Sequence, residues 1–190
     1  VLLMTMLSVM GPILIAFNKK EVKDRLAISS LSNKRKNFEI FLGSLVMSLL
    51  LWAFFIVLSF VLAKGQFGEK ELLASLNSLI FAMIVAGMVS IFGNFNISGA
   101  PFAMMTNVVA LTMCFLGGIF VPMQFFGSTL QMVSKLFPTH WFIVANDRIY
   151  NEEGLAKIFT CFGIELLFAV AFFAISLVVS KQIKEKFYLL

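Results

Sequence analysis

The chain has 190 residues, of which 60% are hydrophobic and only 13% are charged. A typical soluble domain is about 45–50% apolar and about 25% charged, so this composition excludes a water-soluble globule. Disordered chains, disulfide scaffolds and fibrous repeats are excluded as well, because their compositions are polar, cysteine-rich or periodic. The formal net charge is +5, and in so apolar a chain we expect it to orient the protein in a membrane rather than to bind nucleic acid.

Five apolar runs predict an all-α polytopic membrane protein with a single transmembrane domain over residues 1–190. A helix of about 20 residues crosses the hydrocarbon core of a bilayer, and four of the runs reach that length. The five predicted spans are residues 1–17, 41–63, 72–93, 102–123 and 158–180. The first run is slightly short, and Pro12 within it predicts a kink because proline lacks a backbone donor.

The segments between these spans differ in basic charge, which predicts the orientation of the chain. Ten basic residues fall on one side: Lys19, Lys20, Lys23, Arg25, Lys34, Arg35, Lys36, Lys181, Lys184 and Lys186. Five fall on the other side: Lys64, Lys70, Lys135, Arg148 and Lys157. Cytoplasmic loops carry the excess of Lys and Arg, so we expect the first side to be cytoplasmic. Val1 then lies at the outer face, and we expect either a chain whose N-terminus is outside or a further span and an outer segment before Val1.

Residues 18–40 form the largest predicted cytoplasmic segment. Val22, Leu26 and Ser29 are spaced i, i+4 and i+7 among charged residues, which predicts a short amphipathic helix along the membrane surface. The serines that follow favour a turn over a helix interior, and a helix is expected to restart at Asn33 and to run into the next span. A simpler interpretation is an electrostatic anchor on anionic lipid, worth about 1 kcal/mol per basic residue.

Residues 124–144 are apolar enough for a membrane but are interrupted by polar and helix-breaking residues. Apolar side chains recur there at i, i+4, i+7 and i+11: Phe126, Leu130, Val133 and Phe137. Such a helix lies in the outer interface, or dips into the membrane and returns as a re-entrant hairpin. We expect Pro138 to end this helix and Trp141 to lie at the level of the lipid headgroups.

Glu165 is the one acidic residue well inside a predicted span. An ionised side chain at the centre of a bilayer costs at least about 2.5–3.5 kcal/mol, so something must offset its charge. Three explanations stay open: a cavity lined by protein, an ion pair with Lys157, or a protonated carboxyl. The residue is interpreted either as a polar contact in a substrate path or as a structural hydrogen bond between helices.

The remaining polar residues predict structure rather than chemistry. Four residues of the spans are expected to form hydrogen bonds between helices: Asn77, Thr106, Asn107 and Thr112. His140, the only histidine, is expected to lie in the outer interface, and Cys114 and Cys161 to pack as apolar side chains. No phosphate-binding loop of the form GxxxxGK[ST] is present in the sequence, and we expect no catalytic residue, metal site or bound cofactor in this chain.

Two stretches together resemble the permease subunits of type-2 ATP-binding-cassette (ABC) exporters. The first resembles the end of that family's penultimate span and its outer hairpin: Gly117, Gly118, Ile119, Phe120, Val121, Pro122, Leu130, Ser134, Pro138 and Trp141. The second resembles the cytoplasmic segment between the family's second and third spans: Glu21, Arg25, Leu26, Ser29, Ser30, Leu31, Ser32 and Gly43. Ser30 stands where the family usually has proline.

The resemblance implies a permease of which this chain supplies the second to sixth spans. A separate ATPase, which binds ATP and Mg²⁺, would dock on the cytoplasmic coupling segment: Glu21, Lys23, Arg25, Leu26, Ser29, Ser30, Leu31 and Ser32. An exit gate would be formed by Gly117, Gly118, Phe120, Pro122, Leu130, Ser134, Pro138 and Trp141. The partners implied are ABC ATPase subunits, membrane lipid and a second permease half in a homo- or heterodimer. The expected location is a bacterial plasma membrane, and the substrates of the family are drugs, antimicrobial peptides, lipids and glycans.

Three other classes of function are weighed beside the exporter. An ion-coupled secondary transporter would use Glu165 as its titrating carboxylate. A membrane-embedded enzyme would need a nucleophile–base pair or a metal cluster, which the sequence does not suggest. A scaffold or sensor subunit would need neither feature.

Overall fold

The computed structural model describes residues 33–62, 68–93 and 100–187, and all regular secondary structure in those ranges is helical. The predicted first span, residues 1–17, and residues 18–32 of the coupling segment lie outside the described residues. The helices are α1 (Asn33–Leu62), α2 (Glu69–Gly93), α3 (Ala100–Leu116), a 3₁₀ turn (Met123–Phe125), α4 (Ser128–Ser134), α5 (Pro138–Tyr150) and α6 (Leu155–Phe187).

Three of these helices are long and apolar enough to cross a membrane: Phe41–Leu62 in α1, Glu69–Phe92 in α2 and Leu155–Val179 in α6. Runs of Leu, Ile, Phe and Ala without an internal proline favour helices of this length, and they coincide with three of the predicted spans. α1 is helical from Asn33, the first described residue, into its span. Its side chains from Phe54 to Leu62 are largely exposed, whereas α2 is the most buried of the three.

The fourth predicted span differs from the structure at its end, because α3 stops at Leu116 rather than near residue 123. The backbone N–H of Gly118 bonds to the carbonyl of Phe115, and that of Ile119 bonds to the carbonyl of Cys114. These two bonds form a Schellman motif, which requires a left-handed residue after the helix. Gly118 supplies it with a φ of +87°, so the glycine pair ends the helix although the apolar run continues.

α1 and α2 pack as an antiparallel pair. The Ser44 hydroxyl bonds to the carbonyl of Ala86, with 3.2 Å between the oxygens. Near the other end of the pair, the Trp52 indole N–H donates to the Ser78 hydroxyl at 3.0 Å. Two residues therefore face each other when their residue numbers add up to about 130. This is the register expected of antiparallel helices that are joined by one short connection.

α2 and α6 run in the same direction and form the core of the bundle. The hydroxyls of Ser90 and Ser176 lie 2.7 Å apart. A Cβ atom added to Gly87 would lie only 3.1 Å from Cβ of Phe172, so the glycine allows the two helices to approach closely, as small residues do in membrane bundles. Ile84, Val85 and other α2 side chains fill the resulting core.

Candidate functional site

The hairpin segment, residues 117–144, is anchored on α3 by one close contact. Thr139, which is fully buried, donates a hydrogen bond from Oγ1 to the carbonyl of Met113 at 2.7 Å. A Cβ atom on Gly117 would overlap Thr139 and lie 2.8 Å from the Met113 carbonyl oxygen. Gly117 is therefore needed for close approach, and Gly118 for its positive φ. The sequence singled out both glycines but missed Thr139, which carries no signal of its own beside Pro138.

Two hydrogen bonds close the turn between α4 and α5. The Trp141 indole N–H donates to the carbonyl of Lys135 at 2.9 Å, and Ser134 Oγ lies 3.1 Å from Nδ1 of His140. Ser134 also donates to the carbonyl of Gln131 at 2.8 Å, so its hydroxyl proton is used there and His140 Nδ1 is left to donate to Ser134. Three residues of the predicted gate, Ser134, Pro138 and Trp141, thus belong to one closed turn.

The expected role of Pro138 as the end of a helix is wrong. α4 already ends at Ser134, and Pro138 is buried at the first position of α5. Proline fits this position because the first N–H groups of a helix have no intrahelical acceptor and its φ is already close to helical. The hairpin is therefore two short helices joined by a tight turn, with the proline starting the second.

His140 lies within this turn rather than in an exposed interface. Its side chain is only 9% exposed, and its ring meets that of Trp141 edge to face. Burial lowers the pKa of His140, and the nearby positive charge of Lys135 lowers it further, because both disfavour the imidazolium.

The apolar stripe predicted for this segment is not one buried face. Phe126 is buried and contacts the ring of Phe115, whereas Leu130 and Val133 are exposed. The largest exposed apolar side chains of the segment are Phe120, Phe125, Met132 and Leu136. Leu130 and Phe120, both assigned to the gate, therefore lie on the surface of the hairpin, together with the exposed Pro122 at the start of the 3₁₀ turn.

Glu165 is fully buried in α6. Neither of its carboxyl oxygens has a hydrogen-bond partner among the residues that the structure describes. Lys157, the ion-pair partner considered for Glu165, instead bonds to Glu153, with 3.0 Å between Nζ and Oε2. The ion pair between Glu165 and Lys157 is therefore not formed.

Arg148 joins α5 to the start of α6. Its Nη1 atom donates to the carbonyl of Lys157 at 2.9 Å and lies 3.3 Å from Sγ of Cys161. Cys161 is one helical turn before Glu165 on the same face. The sequence counted Arg148 only as a basic residue of an outer loop, since nothing in the local pattern reveals a contact across the turn.

Asn77 is the second fully buried polar residue of this region. Its Nδ2 atom donates to the carbonyl of Phe142 on α5 at 3.1 Å, while Oδ1 finds no donor among the described residues. The predicted hydrogen bond between helices is confirmed for Asn77. Asn107 and Thr112 are exposed on α3, so burial between helices is wrong for these two.

A pocket of about 670 Å³ lies where the start of α2 meets the turn between α5 and α6. Its charged lining is mostly acidic: Glu69, Lys70, Glu71, Glu152 and Glu153. The Lys70 ammonium contacts the Glu152 carboxylate at 2.6 Å, and the hydrogen bond from Lys70 lowers the pKa of Glu152. This ion pair holds the two predicted outer segments at the same end of the bundle.

The coupling residues, Glu21, Lys23, Arg25, Leu26, Ser29, Ser30, Leu31 and Ser32, lie outside the described residues. Within the described ranges, no three His, Cys, Asp or Glu side chains are grouped so that they could hold a metal ion. Comparison of the chain with protein-family models, with curated proteins and with solved structures gives no match.

Proposed function

We propose that this chain is the membrane-spanning subunit of an ATP-driven ABC exporter and forms half of a substrate path. The observation that supports the proposal is the joint use of the residues that carry the resemblance. Gly118 ends α3 and Gly117 admits Thr139, while Ser134 and Trp141 close the turn that precedes Pro138. Residues recognised as one motif thus build one structural unit, and a common exit hairpin would require this of them.

The proposed topology has five spans and a re-entrant outer hairpin. α1, α2 and α6 supply three spans, and residues 1–17 would supply the first. α3 has 17 residues, or about 25 Å at 1.5 Å per residue, which nearly crosses a hydrocarbon core of about 30 Å. The exposed Phe125, Met132 and Leu136 of the hairpin favour an interfacial or dipping position.

The partners proposed are an ABC ATPase, which binds ATP and Mg²⁺ and docks on residues 18–32, and a second permease half. ATP-driven closure of the ATPase pair would move this segment and rock the attached spans as rigid bodies. The cargo is proposed from the class alone as a drug, an antimicrobial peptide, a lipid or a glycan. The location proposed is a bacterial plasma membrane.

Co-purification and ATP hydrolysis test this function. An ABC ATPase that co-purifies with the chain from its source cells is co-expressed with it, and hydrolysis by the complex in liposomes is compared with hydrolysis by the ATPase alone. Arg25→Glu and a deletion of Ser29–Ser32 are expected to keep the chain folded but to abolish the difference. The matched control is Lys135→Glu, an equal reversal at an exposed site of the hairpin. Normal coupling in the deletion variant would overturn the assignment of the coupling segment.

The buried, unpartnered carboxyl of Glu165 favours a second candidate, an ion-coupled secondary transporter. Such a protein would accumulate substrate in response to a proton gradient without ATP, and Glu165→Gln would abolish this transport. Glu153→Gln, at the half-exposed partner of Lys157, is the matched control. Transport that requires ATP and survives Glu165→Gln would exclude this candidate.

A further inference from the structure

The buried polar atoms without partners are concentrated in one place. Among the described residues they are Ser48 Oγ, Asn77 Oδ1 and both carboxyl oxygens of Glu165. Three of these four atoms belong to α2 and α6, which pack against each other and against α5. All three are acceptors that lack a donor among the described residues, and burial of a polar group in this state is unfavourable.

The register between α2 and α6 puts Asn77 and Glu165 at nearly the same depth. Ser90 and Ser176 are level, since their hydroxyls lie 2.7 Å apart. Asn77 is thirteen residues before Ser90, and Glu165 is eleven residues before Ser176. In parallel helices this two-residue difference corresponds to about 3 Å of depth.

The register between α5 and α6 leads to the same level. α5 runs antiparallel to α6, with Arg148 against Cys161. Phe142 is six residues before Arg148, so it falls about two residues from the level of Glu165 on α6. Asn77 bonds to the carbonyl of this same Phe142, and the two registers therefore converge on one layer between the three helices.

The orientation of the Asn77 amide shows that the layer between the three helices lacks a hydrogen-bond donor among the residues that the structure describes. Its NH₂ group points to the Phe142 carbonyl at 3.1 Å, because the reverse orientation would place two acceptors against each other. Oδ1 must then accept from another group. An ionised Glu165 is a pure acceptor, whereas a protonated carboxyl carries one O–H donor.

We propose that Glu165 and Asn77 form a proton-binding site inside the helix bundle, in which the protonated Glu165 carboxyl donates a hydrogen bond to Asn77 Oδ1. Binding of the proton forms the O–H bond of the acid and removes the carboxylate charge from a site that has no counter-charge among the described residues. Release of the proton leaves a bare anion there, so it requires the layer to open to water or to a cation. The export function does not depend on this site, whereas the ion-coupled candidate would use it.

The charged and titratable groups of the elements around the layer do not replace the proton. On α5 they are His140, Asp147, Arg148 and Tyr150, of which His140 bonds to Ser134 and Arg148 is engaged with the start of α6, while Asp147 and Tyr150 are exposed. On α6 Lys157 is paired with Glu153, and Cys161 Sγ lies 3.3 Å from Arg148 Nη1. α2 carries no charged residue after Glu71 up to Gly93. Among the described residues, none of these groups bonds to the carboxyl of Glu165.

Infrared spectroscopy of the full chain in lipid vesicles tests the site directly. A protonated carboxylic acid has a carbonyl stretch that is separate from the amide and carboxylate bands. We expect this band at neutral pH in the parent protein and its loss in Glu165→Gln, with the helix content unchanged. A parent spectrum that equals that of Glu165→Gln would overturn the proposal, and because the readout is not transport, this result would leave the export function standing.

A second variant tests the acceptor. Asn77→Leu keeps the branched shape of the side chain, with a larger volume, but removes Oδ1, so the acid band is expected to move to higher frequency as its hydrogen bond is lost. Asn107→Leu makes the same change at an exposed position of α3 and is expected to leave the band in place. An unmoved band in a folded Asn77→Leu protein would overturn Asn77 as the partner.

Discussion

The two ends of the contact between α2 and α6 differ in how their polar groups are satisfied. At one end Gly87 admits Phe172 and the hydroxyls of Ser90 and Ser176 bond to each other at 2.7 Å. At the other end Asn77 and Glu165 are equally buried, but three of their oxygen atoms lack donors among the described residues. Polar contacts that only join helices can satisfy themselves, as the serine pair does. Because its oxygen atoms lack donors in the described part of the chain, the layer of Asn77 and Glu165 is suited to hold a proton rather than only to join helices.

A larger side chain at the closely packed end of the contact between α2 and α6 is expected to have the largest effect on stability. Gly87→Leu must displace Phe172, because even a Cβ atom would lie 3.1 Å from Cβ of that residue. Overpacking of this kind costs about 3 kcal/mol at the upper end of its usual range. The measurement is unfolding of the purified chain in detergent. Gly163→Leu is the control, because a Cβ atom there meets nothing within 4 Å, and an equal loss in both variants would contradict the close approach.

A double-mutant cycle tests whether Asn77 and Glu165 interact at the polar end of this contact. Asn77→Leu alone is expected to lower the free energy of unfolding by about 2 kcal/mol, because it leaves Glu165 without its proposed acceptor. Asn77→Leu together with Glu165→Leu is expected to recover about 1 kcal/mol, since no polar group then stays unpaired in the layer. Strict additivity of the two substitutions would show that the residues do not interact.

Loss of the hydrogen bond between Ser90 and Ser176 is expected to have the next smaller effect on stability. Ser176→Ala removes one buried hydrogen bond to Ser90 and is expected to cost about 1 kcal/mol. Thr160→Ala on the same helix is the control, because Thr160 is exposed and, among the described residues, its hydroxyl bonds to the carbonyl of Ala156 on its own helix. A cost in Thr160→Ala as large as that in Ser176→Ala would refute the view that the buried end is satisfied by this pair.

The pH dependence of stability below pH 7 is expected to come from the hairpin, through His140. The pKa of His140 is lowered in the folded protein by burial and by Lys135, so the unfolded chain binds more protons and stability falls as pH decreases below the ordinary histidine value of about 6.5. We expect His140→Gln to remove this part of the pH dependence in thermal unfolding scans between pH 7 and pH 5. If stability still falls with decreasing pH in His140→Gln, a group other than His140 causes the pH dependence.

The smallest effect is expected at the rim of the bundle. Lys70→Met breaks the exposed ion pair with Glu152 and is expected to change stability by at most about 1 kcal/mol. Because such pairs are screened by ions, the difference from the parent protein should shrink at high salt. A difference that persists at high salt would mean that Lys70 acts through packing rather than through charge.

Several elements of this fold could be predicted from the sequence because their signals are local. The apolar runs predicted α1, α2 and α6. The end of α3 was placed too late because apolar length alone does not register a glycine in a left-handed conformation. The role of Pro138 was wrong for a related reason, since a proline can either stop a helix or begin one. The conformation of the preceding residues decides between the two.

Hydropathy and helix length are properties of contiguous residues, so the amino-acid sequence was enough to predict that this chain is apolar, helical and suited to a membrane. It also marked Glu165 as costly within a span, and the family resemblance singled out Gly117 and Gly118 at the end of a span and Ser134, Pro138 and Trp141 in the hairpin after it. Only the tertiary structure decided that Asn77 shares a level with Glu165, that Lys157 pairs elsewhere and that Thr139 fills the space beside Gly117. These relations depend on the register between helices distant in the chain, and that register is set by packing rather than by local pattern.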